Sequence, residues 1–323
     1  MKNSQKISLL EKRTLIEEKI RSLYPDTYRK IIHSISQAKP TTFRINTLNG
    51  GAEVLEELTE HGIQVQKGPL PNSYVVKKGS QKEIEATSGY QNGKIYLQEF
   101  SSMLPPLILD VEKNHIVLDL AAAPGGKSTE IQAITGDESK IVCVEKNPIR
   151  FERLKYNLEL QGVKNYEILL ENGIGLYKNH PEYSEYFERI LLDAPCSNEG
   201  GIHLSEPKSY ASWDLKPSKE LMRTQKGLIM SAYHTLRPGG ILVYSTCTFC
   251  IEENEGIVDW LLKQTQNMEL LPISLGIPNT IPGFTKFTED IFHPSLVRTK
   301  RIIPDALFTA FFLAKFRKVM IQI

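Results

Sequence analysis

Five apolar strands alternating for the most part with amphipathic helices from about residue 113 onward predict a doubly wound α/β fold with a parallel sheet covered on both faces. Two further observations support this. A loop of small residues follows the first of these strands, where open α/β sheets bind ligands. Upstream the rhythm is different, and short strands and helices over 41–90 read as a compact, smaller α+β subdomain. The chain of 323 residues is 41% apolar and 24% charged, an ordinary globular balance that excludes wholesale disorder. That length suits two parts, read here as an N-terminal region 1–105 and a larger domain 106–323.

Residues 7–35 carry a helical apolar pattern, interrupted near Tyr24-Pro25 because the residue before proline avoids helix. Lys39-Pro40 ends this region. The β-branched run TTFRINTL reads as a strand, 52–61 as a short helix closed by Gly62, 73–76 as a second strand, and 93–97 as a third leading into SSMLPPLIL. The alternating part then runs: strand 116–120, helix from Lys127, strand 141–144, helix 148–161, strands 167–170 and 190–192, helix 218–236, strand 241–244, and a helix from Glu252.

The net charge of +1 argues, taken whole, against a strongly basic nucleic-acid binder, but it hides an asymmetry. Residues 1–50 carry a net +6 and 293–323 a net +5, so the body between is near −10. Basic ends point to an anionic partner or to solvated helix faces. Four cysteines in this length are no disulfide scaffold. The first twenty residues lack an apolar signal core, and no apolar stretch approaches the ~18 residues of a membrane helix. The expectation is a cytoplasmic protein with no membrane association.

Four segments carry the chemistry. VLDLAAAPGGKST (117–129) joins a strand to a helix through Gly125 and Gly126, so a ligand can approach backbone at a helix start. A nucleotide P-loop would need glycine at Ala121, and Pro124 prevents successive N–H groups from wrapping phosphates. Glu145 ends the second strand, 19 residues after Gly126, where an acidic residue takes ribose hydroxyls of a nucleoside cofactor. NAD and S-adenosylmethionine both remain, with NAD weakened by the missing G-x-G-x-x-G. RILLDAPCSNEG (189–200) places Asp193 and Cys196 past a strand end; alone, Cys196 could equally be an inert small hydrophobe. GGILVYSTCTFCIEENE (239–255) places Cys247 past another, near a helix start that would favour thiolate. Cys247 and Cys250 also form a CxxC, which as a redox or zinc motif lacks its usual context or a second pair. Two cysteines and a carboxylate at adjacent strand ends match C5 methylation of a pyrimidine. A thiolate adds to C6, C5 becomes enamine-like, and an acid near N3 meets the developing charge.

DLAAAPGGKSTE, LLDAPCSNEG and YSTCTF, in this order, resemble the motifs of the Sun/NSUN/RsmB family of RNA cytosine-C5 methyltransferases. The likeness extends to FRINTL, KIYLQEFSSMLPPLIL, PGFTKFTEDIFHP and FFLAKFRK, nearly the whole chain from about residue 40. It implies a Rossmann-like methyltransferase sheet, a helical and RRM-like RNA-binding N-terminal region, and no PUA-like module after residue 323. It implies S-adenosylmethionine on Ala121, Ala122, Ala123, Pro124, Gly125, Gly126 and Lys127, with Glu145 on the ribose and Arg150 and Asp193 lining the same pocket. Asn172 stands where the family usually has Asp near the adenine; an amide still accepts from the exocyclic amine but carries no charge. Cys247 matches the thiol that attacks C6, Cys196 the one that assists product release, and Asp193 the acid at the cytosine ring, with Lys127 beside it. No metal is implied. Asn198 and Ile251 are local departures, where the family often has Gly and Pro. Arg29, Lys30, Lys39 and Arg44 would position phosphates, and Lys208, Lys216, Lys219 and Arg223 would line the RNA cleft or be plain surface residues. The expected product is 5-methylcytosine in structured RNA, tRNA favoured with rRNA next, made by a monomer. The competing expectation is an RNA-binding or assembly factor with a vestigial site.

Overall fold

A computed structural model of the chain describes residues 8–51 and 53–320. The expected helix start at residue 7 and the helix start at Ala52 lie outside the described residues. Helix α1 (Leu9–Leu23) begins at Ser8, whose hydroxyl accepts the Glu11 N–H while the Glu11 carboxylate returns to the Ser8 N–H. Pro25 separates it from α2 (Tyr28–Ile35). Ile16, Ile20, Ile31 and Ile35 share one buried cluster with Tyr210, Trp213 and Phe249. The helical pair therefore packs on the loops of the larger part.

The small sheet follows. It comprises β1 (Thr42–Ile45), β2 (Gln64–Lys67), β3 (Ser73–Lys78) and β4 (Ile95–Leu97), antiparallel in the order β2-β3-β1-β4, with helices α3 (Glu53–Glu60), α4 (Gln81–Glu85) and α5 (Ser88–Gln91) between. Phe43, Ile45, Val54, Leu58, Val76 and Ile95 form its core. The edge strand β2 is QVQK, largely exposed and without an apolar face, so periodicity does not reveal it.

SSMLPPLIL, left unassigned by its sequence, is helical: α6 (Phe100–Ile108) carries Pro105 and Pro106 inside it. An interior proline costs roughly 3 kcal/mol. Phe100, Met103 and Leu104 are fully buried on this helix, and each such side chain contributes roughly 1.5–3 kcal/mol, so burial prevails over propensity.

The large sheet is built around β5 (Ile116–Asp119), β6 (Lys140–Glu145), β7 (Tyr166–Leu170), β8 (Phe187–Asp193) and β9 (Leu236–Thr246), which are parallel to one another. Helices α7 (Gly126–Thr135), α8 (Pro148–Leu160), α9 (Leu176–Asn179), α10 (Lys219–Thr235) and α11 (Glu255–Gln264) connect them or follow the last. Short strands β10 (Met268–Leu270) and β11 (Thr280–Pro282), a hairpin of β12 (Lys286–Phe287) and β13 (Asp290–Ile291), then β14 (Lys300–Ile302) and β15 (Phe311–Lys318) complete the chain. The order is β11-β14-β15-β9-β8-β5-β6-β7, with β10 also on β15. The sheet is thus mixed, not wholly parallel. β15 runs antiparallel along β9, from Phe312 opposite Thr246 to Arg317 opposite Ile241.

Alternation decides the layers. Val117, Cys143, Leu191 and Val243 face α6, α7 and α8, while Leu118, Val142, Ile190 and Leu242 face α10 and α11. Strand order reverses between β5 and β8, so their carboxyl ends open the crevice where such sheets bind ligands.

Beside α11 one ion pair is wholly buried. Arg301 donates to Glu255 through two nitrogens and to the Tyr24 hydroxyl at 2.9 Å, between the rings of Phe284 and Phe312. Arg301→Met should cost about 3–5 kcal/mol in urea unfolding, because Glu255 is left buried and unpaired. The double variant Arg301→Met, Glu255→Leu should recover part of that loss; a single variant as stable as the parent would contradict the pairing.

Candidate active site

The loop after β5 is held by its carbonyls. Arg150 on α8 donates to the Ala123 carbonyl, Asn157 to that of Pro124 at 2.7 Å, and Arg44 on β1 to that of Gly126 at 3.2 Å. The Ala123-Pro124 bond is cis. Gly125, with φ +105°, occupies the left-handed region that lets the chain turn into α7; a Cβ there would lie 3.0 Å from Leu154. The turn closes against α8.

A cavity of about 200 Å³ opens at this crevice, walled by Ala121, Ala123, Glu145, Arg150, Asn172 and Asp193, and it reaches Cys196 and Cys247. Of the residues expected around a cofactor, Ala122, Pro124, Gly126 and Lys127 instead wall an adjoining cavity of about 290 Å³, on the side of Tyr96 and Ser102. Gly125 walls neither and serves the turn. Glu145 is buried at the end of β6; one oxygen accepts the Asn147 N–H at 2.8 Å and the other stands 3.6 Å from Arg150. Asn172 accepts the Ile174 N–H at 3.0 Å, so its amide oxygen keeps one lone pair for a ligand.

Asp119 accepts the Ser128 hydroxyl at 2.6 Å through one oxygen, and its other oxygen is buried with no protein partner. Burial pushes its carboxyl up to about 6, against the Ser128 hydrogen bond and the Lys127 charge. Lys127 donates to Asp193 at 2.7 Å and to Ser102 at 2.8 Å. Burial opposes its ammonium, but the Asp193 carboxylate outweighs that and holds Lys127 above the usual lysine range. Asp193 also accepts the Ser245 hydroxyl at 2.6 Å.

The sulfurs of Cys196 and Cys247 lie 3.2 Å apart, and the Cys247 thiol donates to the Asn198 amide oxygen at 3.1 Å. Contact with Cys247 and burial push the Cys196 thiol well up. Cys250 donates to Glu252 at 3.0 Å and is buried, which raises its thiol too. The structure therefore pairs Cys247 with Cys196 rather than with Cys250. The last helix starts at Glu255 rather than Glu252, with a turn between Cys247 and it, so Asn198 rather than a helix end is the polar partner of Cys247.

Sequence reasoning missed the residues that brace these loops. Glu253, fully buried, accepts the Ser197 N–H at 2.9 Å, the Ser197 hydroxyl and the Gln225 amide at 2.8 Å. Glu199 accepts the Thr248 hydroxyl at 2.9 Å, the Phe249 N–H at 3.0 Å, the Trp213 indole at 2.7 Å and Lys19 at 2.6 Å. The signal was three acids clustered within Glu252–Glu255 directly after a strand-end cysteine, in an otherwise apolar stretch. Arg44 also departs from expectation. It is buried, donates to Gln98 at 3.0 Å and Thr129 at 2.7 Å, and stacks over Tyr96, so it ties the small sheet to α7 and is closed to phosphates. Lys208, Lys216, Lys219 and Arg223 are exposed.

These features define the Rossmann-like methyltransferase class. Residues 106–317 match the 16S rRNA methyltransferase RsmB/F family, and residues 15–80 match the ferredoxin-like domain of RsmF/B-like methyltransferases. The chain is 34% identical over 287 residues to a tRNA (cytosine(49)-C(5))-methyltransferase of Pyrococcus abyssi, covering 86% of this chain and 88% of that one. It is 35% identical over 287 residues to the human 28S rRNA (cytosine(4447)-C(5))-methyltransferase, covering 87% of this chain but only about a third (34%) of the human one. A solved methyltransferase homologue from Pyrococcus horikoshii aligns with TM-score 0.80 and 28% identity, over 97% of this chain and all (100%) of that one. The chain belongs to the RsmB/F methyltransferase family.

Two outcomes follow from the buried carboxylates. Glu253→Ala should lower kcat by about 10²-fold, the scale of an ångström-sized misplacement of reacting groups, while Glu253→Gln retains most of it; equal activities would remove Glu253 from positioning. Glu130 accepts from Gln98 at 3.0 Å, and burial pushes its carboxyl up to about 7 from an ordinary 4.5, against the Arg44 charge. A carboxyl raised in the folded state favours folding most below its unfolded value, and that contribution fades as pH rises from 4.5 toward about 7. Glu130→Gln should therefore stabilise the protein more at about pH 8 than at about pH 5, by a few kcal/mol in urea unfolding. An equal effect at both would refute the buried proton.

Proposed function

We propose that this protein transfers a methyl group from S-adenosylmethionine to C5 of a cytosine in RNA. The observation that carries the reading is the thiol pair Cys196–Cys247, 3.2 Å apart, opening onto the same cavity as Asp193 and its Lys127 partner. The cofactor supplies an electrophilic methyl. The residues fit it: Glu145 offers carboxylate oxygens to vicinal hydroxyls, and the unpartnered Asp119 oxygen offers an acceptor to an ammonium. Ala121 and Ala123 keep the wall shallow.

Cys247 attacks C6 of a base taken out of its stack. Its proton, hydrogen-bonded to the Asn198 oxygen, goes to solvent, and the S–H of Cys196 donates to the thiolate that remains. A thiol pushed upward keeps that proton at neutral pH. Asp193 orients the ring edge, and the Lys127 ammonium balances charge as it develops on addition. After C5 has taken the methyl group, the C5 proton goes to solvent, the C5–H electrons form the C5=C6 bond, and Cys247 leaves C6 as a thiolate that accepts the Cys196 S–H.

The favoured substrate is tRNA, with rRNA next. The archaeal tRNA relative is matched over 88% of its length, whereas the human 28S relative is matched over 34%. Cys247→Ala should abolish methyl transfer, and Cys196→Ala should accumulate a covalent RNA adduct that survives denaturing electrophoresis. An active Cys247→Ala variant alongside an inactive, adduct-free Cys196→Ala variant would reverse the two roles. Bisulfite sequencing of RNA from a deletion strain should show one lost methylated site.

A further inference from the structure

A groove of about 880 Å³ runs between α2, β3 and the segment 278–307, away from the reacting sulfurs. Its floor is apolar, with Ile281, Ile303, Pro304 and Leu307. Arg29 and Lys30 on α2 and Lys77 on β3 line it as exposed cations, and among the described residues no carboxylate pairs with any of them. The acid in its wall, Asp305, is spent on the N–H groups of Leu307 and Phe308, each at 2.8 Å. Lys39, also in the wall, donates to the Ser34 hydroxyl at 2.8 Å.

A series of cavities that share wall residues leads from the groove to the candidate active site. Lys39, Pro40 and Leu307 also wall a second cavity of about 340 Å³. That cavity shares Leu97, Gln98 and Glu99 with the one holding Lys127 and Asp193, and Asp193 walls the cavity of Cys247 as well. The cations stand at the far end, and the waist carries the Glu99 carboxylate, which suits a base edge and repels a phosphate.

We propose that this groove binds single-stranded RNA flanking the target cytosine, with phosphates on Arg29, Lys30 and Lys77 and base faces on the apolar floor. This rests on the RNA reading above. A duplex presents phosphates and sugars outward and has no use for an apolar floor, whereas an unstacked strand has.

The test is the affinity of the full chain for a cytosine-containing single-stranded oligoribonucleotide across a range of KCl concentrations. Each phosphate contact contributes about 0.7 to the slope of log K against log salt for single strands. The variant Arg29→Gln, Lys30→Gln, Lys77→Gln should reduce that slope by about 2 and weaken binding at least about tenfold near 0.1 M salt. Its S-adenosylmethionine affinity by calorimetry and its unfolding midpoint should stay at parental values. A parental slope in the variant overturns the proposal, as does a duplex of the same sequence that binds equally and loses equally. Parental protein that binds no RNA at any salt instead overturns the reading on which the proposal rests.

Discussion

Lys127 and Asp193 hold one another across the point where the strand order reverses, and the rest of the site is arranged around that pair. Lys127 comes from the first turn of α7 and Asp193 from the end of β8. Lys127 is largely withdrawn from water and Asp193 partly so, and an ion taken into the interior without a partner costs several kcal/mol even after relaxation. The pair therefore fixes the helix start against the strand end. Ser102 on α6 and Ser245 on β9 complete its hydrogen bonding, so four elements are registered by two side chains.

Around this centre the protein satisfies its loops with buried carboxylates instead of secondary structure. Glu253 holds the segment bearing Cys196, and Glu199 holds the segment after Cys247. Each loop is thus fixed by an acid from the other cysteine's side of the site. The two sulfurs are set by reciprocal bracing, which backbone pairing alone would not supply. Arg44 adds a third tie, reaching from the small sheet to the carbonyl of Gly126. The part of the molecule beside the basic groove and the loop beside the cavity consequently share one rigid contact.

Much of this was legible in the sequence where local pattern and chemistry coincide. Strands β5 to β9 are short apolar runs with an amphipathic helix after most of them, and the candidate residues Glu145, Asp193 and Cys247 stand out as charged or reactive side chains at or just past strand ends. What escaped depends on distant partners. Arg44 looks like a surface cation until it meets Gln98 and Thr129, 54 and 85 residues away. Glu253 looks solvated until Ser197 and Gln225 close on it. Helix α6 contradicts its own prolines because two layers bury it. The short strands β10 to β14 have too few residues for a period to register.

The position of β15 has a consequence for how the chain acquires its structure during synthesis. This strand, residues 311–318, lies inside the sheet between β9 and the short strands β10 and β14, although it follows all of them in sequence. Until it arrives, the edge of β9 that runs to Thr246, next to the nucleophile candidate, has no partner. At 5–20 residues per second, the ribosome leaves that edge open for several seconds after β9 has emerged. An unpaired, largely buried-type strand edge is where chains associate wrongly. The candidate site beside Thr246 is thus completed only once residues 311–318 have been made, and a nascent chain that stops short of them has no partner for that edge.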